Sequence, residues 1–220
     1  MNSPIIQLLV LAGIAVFLIL RLRSVLGTRE GFEKPKVTES ETAKSRKRPD
    51  FEVIEGGPDR DITENVPEGS DAAKALAAMK RAEPSFGVSD FLGGARGAYE
   101  WILMAFENGD LSEIKPFLSD DVYEVFAEVV EERKAKGLTV KATFVGLSEI
   151  ALKDAEFDET TREAELSVRF TGEITSVVHD SAGDVVEGSS TEIKRQRDVW
   201  TFARTMGEND PNWVLVATGE

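Results

Sequence analysis

The apolar spacing of this chain changes once, and it changes at Gly137. Upstream, Val122, Val125, Phe126, Val129 and Val130 recur at helical spacing; downstream, Ala164, Leu166, Val168, Phe170 and Ile174 alternate with Glu163, Glu165, Ser167, Arg169 and Glu173. Helices first and strands afterwards restrict the fold to the α+β class, with helices laid on one face of a bent antiparallel sheet. Four strands are expected: one over Thr139 to Lys153, one through "REAELSVRFTGEI", one resuming through "DVWTFAR" after the "DSAGD" reversal, and a last one at "NWVLVATG".

The helices have readable ends. Ser119 caps the helix that Arg133, Lys134, Lys136 and Gly137 close, with Asp120 and Asp121 in its first turn. Asp110 with Glu113 forms a capping-box variant for a short helix that Pro116 ends. The helix "FLGGARGAYEWILMAFENGD", Phe91 to Asp110, puts Arg96, Glu100 and Glu107 in one narrow stripe beside a broad apolar face. Its Gly93, Gly94 and Gly97 each cost roughly 1 kcal/mol against alanine in a helix interior. Close approach of helix and strand backbones in the concavity of the sheet is the simplest reason to keep them. The alternative is an apolar pocket lined by Tyr99, Ile102, Phe106, Phe170, Trp200, Phe202 and Trp213.

Residues 1–26 read as a transmembrane anchor. The run "PIIQLLVLAGIAVFLIL" from Pro4 to Leu20, with Ile5, Leu8, Leu11, Phe17 and Leu20 as its apolar body, spans about 25 Å as a helix. Arg21 and Arg23 lengthen it by snorkelling. Basic residues follow the run and none precedes it, which favours an uncleaved anchor with the body of the chain in the cytoplasm over a cleaved signal peptide. Residues 27–84 carry no sustained apolar period and read as a flexible polar linker, with a short helix at 71–83 capped by Asp71 and showing Ala75, Leu76 and Met79 on one side. The folded domain is expected over 85–220.

Charge is segregated along the chain. Residues 1–88 hold 13 basic and 13 acidic side chains, whereas 89–220 hold 13 and 27, so the net −14 belongs to the second part. Such a field repels phosphate backbones and argues against direct nucleic-acid binding; a partner with basic segments suits it better. Without cysteine, thiolate catalysis and cysteine-bound metal drop out. His179, the single histidine, lies beside a turn and reads as a solvent-exposed loop imidazole, leaving a catalytic triad and a histidine metal site without material. The pairs Asp120–Asp121 and Glu131–Glu132 read as helix-terminus charge and wet surface. "GGARG" lies inside a helix, where no phosphate loop forms. No catalytic, metal or cofactor site is expected, and Tyr99 is the one polar-tipped aromatic worth following.

The segments "EPSFGVSDFLGGARGAYEWILMAFENGDL", "LSDDVYEVFAEVVEERKAKG", "DVWTFAR" and "DPNWVLVATG", in this order, resemble the C-terminal domain family of the forty-four-kilodalton subunit of the mitochondrial inner-membrane import translocase, and more closely its bacterial members. The resemblance covers about Glu83 to Glu220. It implies a cone of the nuclear-transport-factor-two type, about three helices on a bent four-stranded sheet, located at the bacterial inner membrane as a single-pass protein. By the same resemblance the chain is a non-enzymatic scaffold holding translocation machinery, a chaperone or a polypeptide client. A lipid or small-molecule pocket and a ribosome-associated insertion factor are the other classes left open.

Overall fold

A computed structural model describes residues 59–219; the anchor residues Ile5, Leu8, Leu11, Phe17, Leu20, Arg21 and Arg23, and the linker up to residue 58, lie outside the described residues. No helix among the described residues is long and apolar enough to cross a membrane. The chain builds α1 (Arg60–Thr63), α2 (Asp71–Ala82), α3 (Val88–Asn108), a 3-10 turn (Lys115–Phe117), α4 (Asp120–Ala135) and strands β1 (Thr139–Phe157), β2 (Glu163–His179), β3 (Val185–Thr205) and β4 (Val214–Gly219). The strands form one antiparallel meander in the order β1-β2-β3-β4, with the longer helices packed on it, an α+β architecture.

Bending of the sheet is built into β1. Its pairing with β2 shifts between Phe144 and Gly146, between Leu147 and Glu149, and between Leu152 and Asp154, each shift placing an extra residue on β1. An extra residue on one strand bends it toward its partner and curls the sheet around whatever packs inside. The expected inward row of β2 is buried: Ala164, Leu166, Val168 and Phe170 are fully covered and Ile174 nearly so. The reversal into β3 is an Asx turn, in which Asp180 Oδ1 accepts from the Ala182 and Asp184 N–H groups at 2.9 Å.

Two helix ends fall where their residues dictate. Ser119 Oγ accepts from the Val122 N–H at 3.3 Å and starts α4. Gly109, at φ 72°, ends α3 in the left-handed region, with its N–H on Phe106 O and the Asp110 N–H on Ala105 O. The short helix expected between Asp110 and Pro116 is instead an Asp110-centred turn followed by a 3-10 turn that contains Pro116 at its start. Proline tolerates a first-turn position because its missing N–H would have no partner there.

The folded domain starts well before residue 85. Ser70, one residue ahead of the expected Asp71, caps α2 through its hydroxyl, and α2 buries Leu76 and Met79 completely against β1 and its neighbours. Upstream, Ile62 and Val66 join the same core. The helix at 71–82 is therefore part of the packed layer and not part of a linker. Its hydrophobic face is too narrow, and α1 too short, to display a period that stands out in sequence.

One carboxylate joins this segment to the start of α3. Gly87 at the N-cap of α3 brings no side chain, and Asp61 of α1 substitutes for one: its Oδ2 accepts from the Val88 N–H at 2.7 Å, and its Oδ1 from the Ser89 N–H at 2.8 Å and the Ser89 hydroxyl at 2.6 Å. Lys80 of α2 completes the junction at 2.7 Å. Burial alone would raise the Asp61 carboxyl, but Lys80, the Ser89 hydroxyl and the two N–H groups together hold it well below the usual carboxylate range.

Because the folded-state pKa is depressed, this stabilisation is fully present above the ordinary carboxylate value of about 4 and is lost as pH falls through the lower folded value. Asp61→Ala is expected to lower stability at neutral pH by about 1–2 kcal/mol in urea unfolding. Its acid-induced loss of stability should be shallower than that of the unaltered chain. Unfolding curves that lose stability in parallel from neutral pH into acid would contradict this role.

Candidate functional site

Along β3, residues two apart face the helices in one row: Gln196, Asp198, Trp200, Phe202 and Arg204. The two ends of this row are polar and its middle is aromatic, and the helices supply a partner for each. Tyr99 of α3 reaches the upper end. Its hydroxyl donates to Asp198 Oδ2 at 2.5 Å, and Gln196 Nε2 donates to the other oxygen of the same carboxylate at 3.1 Å. Burial first, and the Asp198 carboxylate second, push the phenol far above its ordinary pKa and keep it a donor.

The Tyr99 ring is stacked on Phe170 with centroids 4.4 Å apart and an interplanar angle of 15°, and it leans on Trp200 at 4.7 Å. It can settle this deeply because β2 carries Gly172 beneath it. A β-carbon at Gly172 would lie 2.7 Å from the Tyr99 hydroxyl oxygen and 3.1 Å from the ring. Tyr99, Phe170 and Trp200 thus fill the concavity as packed core. Phe106, half-buried, sits with Phe126 of α4 at 4.7 Å, under the Arg133 guanidinium. These four residues of the expected pocket do not line open space together.

Open space lies on the other flank of α3. Ile102, Phe202 and Trp213 border a groove of about 630 Å³ with Phe91, Trp101 and Phe117. Gly94, Gly97 and Ala98 form the helix side of this groove. The expected close approach of a strand to the helix glycines is absent: a β-carbon at Gly93, Gly94 or Gly97 meets nothing within 4 Å, and all three are exposed. Trp101, 39% exposed, stands against Phe117 at 5.2 Å, and Trp213 rests on Phe91 at 4.8 Å.

At the lower end of the β3 row Arg204 closes the groove. Its side chain is 9% exposed, lies over the Trp213 ring at 5.2 Å and donates through Nη2 to Glu83 Oε2 at 2.8 Å. Glu83 also accepts from the Gly207 N–H at 2.8 Å. Burial would raise the Glu83 carboxyl, but the Gly207 N–H and the Arg204 guanidinium bring it below its ordinary value, so the pair is ionised and mutually neutral. Arg204 Nη1 donates to Pro211 O at 3.4 Å, while the buried Nε–H finds no acceptor among the described residues.

Sequence reasoning missed Glu83 and Arg204, which lie 121 residues apart. One signal was available: Arg204 is in phase with Trp200 and Phe202, so it points where they point, and a cation on a buried face needs a partner. His179 is half-buried at the end of β2, with its Nδ1 buried and unpaired, and is not the exposed loop side chain expected. Glu131 and Glu132 pair with Lys134 and Lys136 on the wet side of α4. Among the described residues no cluster of carboxylates and imidazole has the geometry to hold a metal ion.

Compared with known protein families, residues 72–220 match the Tim44-like domain. Over 143 residues the chain is 24% identical to the mitochondrial import inner membrane translocase subunit TIM44 of Mus musculus and to that of Homo sapiens, covering 64% of this chain. The chain spans about a third, 31%, of the length of these curated relatives. Among solved structures, the intermembrane space region of the chloroplast protein ARC6 matches with a TM-score of 0.38 at 11% identity, covering 68% of this chain and 95% of that one. That likeness is too loose to add to the fold assignment.

The seat of Tyr99 is testable. Gly172→Ala is expected to destabilise the domain by about 1–3 kcal/mol by overpacking the ring, and to cost clearly less when Tyr99→Phe has removed the nearest atom. Equal costs in the two backgrounds, measured by urea unfolding, would show that the contact does not set the depth of α3.

Proposed function

The chain belongs to the Tim44-like domain family, and from that premise we propose that it is a membrane-anchored, non-enzymatic scaffold that holds a protein partner at the cytoplasmic face of a bacterial inner membrane. The observation that carries this reading is the pairing, in one chain, of the apolar run Pro4–Leu20 and its following arginines with a domain related to a translocase subunit. A scaffold needs surface and position, and no side chain has to react. Anchoring confines the domain to a thin layer and raises the effective concentration of whatever it binds there, into the millimolar range for a short linker.

Charge supports a protein partner. The excess of acidic side chains in residues 89–220 favours basic segments of translocating chains or of ribosomal proteins and disfavours anionic lipid. The groove beside α3 supports a second reading, in which the domain takes an apolar ligand. The two are compatible, since a scaffold can grip its partner through such a groove.

Orientation is the test of the first reading. Protease added to intact spheroplasts is expected to leave the domain whole and to digest it once the membrane is permeabilised. Digestion in intact spheroplasts, or recovery of the chain in the soluble fraction after gentle lysis, would overturn it.

A further inference from the structure

β3 is longer than the strand that covers it. The described pairing of β4 on β3 runs from Ala203 to Val199, where it ends at Gly219. β3 continues past that point in unbroken register with β2, from Arg197 opposite Thr171 to Lys194 opposite Ile174. Beyond Lys194 the register breaks, because Ser190 to Ile193 stand opposite the single Thr175. Between the end of β4 and this bulge lies a slot of sheet edge, Lys194 to Arg197, with a strand on one side only among the described residues. No backbone group of the slot bonds to backbone outside the sheet among those residues. Alternate N–H and C=O groups along it therefore point away from β2 without a ladder partner. The other outer strand, β1, is interrupted by its three register shifts, which blunt it as a template.

The slot is also where the charge of the domain inverts. Residues 89–220 hold 13 basic side chains against 27 acidic, and three of the 13, Lys194, Arg195 and Arg197, fall within four consecutive positions. All three are exposed. Lys194 is in phase with the row that faces the helices, where the half-buried Glu107 feels its charge. Arg195 and Arg197 stand on the opposite face, roughly 7 Å apart along the strand. Arg195 Nη2 meets Glu173 at 2.9 Å, and Arg197 makes no ion pair among the described residues. A second copy of the same edge does not fit, because pairing it with itself sets like charges against each other. A phosphate or lipid headgroup answers the guanidinium groups and leaves the backbone edge open. Only another backbone in extended form, carrying carboxylates, satisfies both.

We propose that this slot seats an extended acidic segment of a partner polypeptide, paired antiparallel with Lys194–Arg197 in line with β4, with carboxylates two residues apart against Arg195 and Arg197. Main-chain hydrogen bonds supply the affinity, and the two arginines select the sequence. Opposite charges directly across a strand pair are favourable and like charges are not. The slot therefore rejects the basic segments that the rest of the domain attracts.

The whole chain, in phosphatidylcholine nanodiscs, is titrated with a fluorescein-labelled peptide of alternating glutamate and valine, about ten residues long and read by anisotropy after subtracting binding to empty nanodiscs. Saturable binding is expected, with slower hydrogen exchange at the backbone amides of residues 194–197. Peptides N-methylated at every valine or at every glutamate separate strand pairing from charge. Both keep all carboxylates, and one of the two is expected to lose at least about tenfold in affinity because its N–H groups face β3. Arg197→Glu, at an exposed position, is expected to weaken the parent peptide about tenfold. Circular dichroism checks that this variant keeps its fold. No saturable binding, full affinity of both N-methylated peptides, or equal affinity in Arg197→Glu would overturn the proposal. So would protection of residues 194–197 without peptide that rises with protein concentration, which gives the edge to a second copy, or with phosphatidylglycerol in the nanodisc, which gives it to the membrane. None of these outcomes bears on the protease orientation test, so the slot and the membrane assignment fail separately.

Discussion

The depth at which Tyr99 sits on Gly172 governs the arrangement of the whole domain. A ring lying 4.4 Å from Phe170, with its hydroxyl on Asp198, leaves α3 one rotation about its axis. In that rotation Phe91, Ala95, Ile102 and Leu103 enter the core, and Gly93, Gly94 and Gly97 turn out of it. The close approach that glycine makes possible is therefore on the strand and not on the helix. Arg204 follows from the same register, since residue 198 facing inward puts residue 204 inward as well.

The segment ahead of α3 is positioned on this frame by electrostatics and held there by apolar burial. Asp61 satisfies two of the N–H groups that a helix start leaves unpaired, and Lys80 balances its charge. Ile62, Val66, Leu76 and Met79 then add apolar burial. At the other end of the helical layer, the Ser119 N–H donates to Leu215 O at 2.9 Å, tying the start of α4 to the last strand. α3, through Tyr99 on Asp198, and α4, through its cap, thus each reach the sheet by a polar contact that fixes position as well as by packing.

Most of this architecture is written in local signals. The change of period at Gly137, the caps at Ser119 and Gly109, the inward row of β2 and the Asx turn at Asp180 depend on residues within a few positions of one another. What stayed hidden is nonlocal. Asp61 caps a helix 27 residues downstream, and Glu83 meets Arg204 across 121. Neither spacing follows from a periodicity, and the short apolar face of α2, legible as Ala75, Leu76 and Met79, does not say what it packs on. Tyr99, Phe106, Phe170, Trp200, Phe202 and Trp213 read as one candidate lining, but composition cannot say which aromatics interlock and which border open space. That division, Tyr99, Phe170 and Trp200 on one side and Trp101, Phe117 and Trp213 on the other, depends on the rotation of α3.

The rotation of α3 leaves its glycines on a bare flank, where a β-carbon would meet nothing within 4 Å and nothing in the fold requires a helix-weakening residue. The most direct measurement is the urea midpoint of the chain carrying Gly94→Ala and Gly97→Ala together. If α3 turns these glycines out of the core, the midpoint rises, with up to about 2 kcal/mol of added stability for two helix-interior positions. A midpoint that falls would mean that the fold itself needs them, and the rotation of α3 set by Tyr99 on Gly172 would be contradicted.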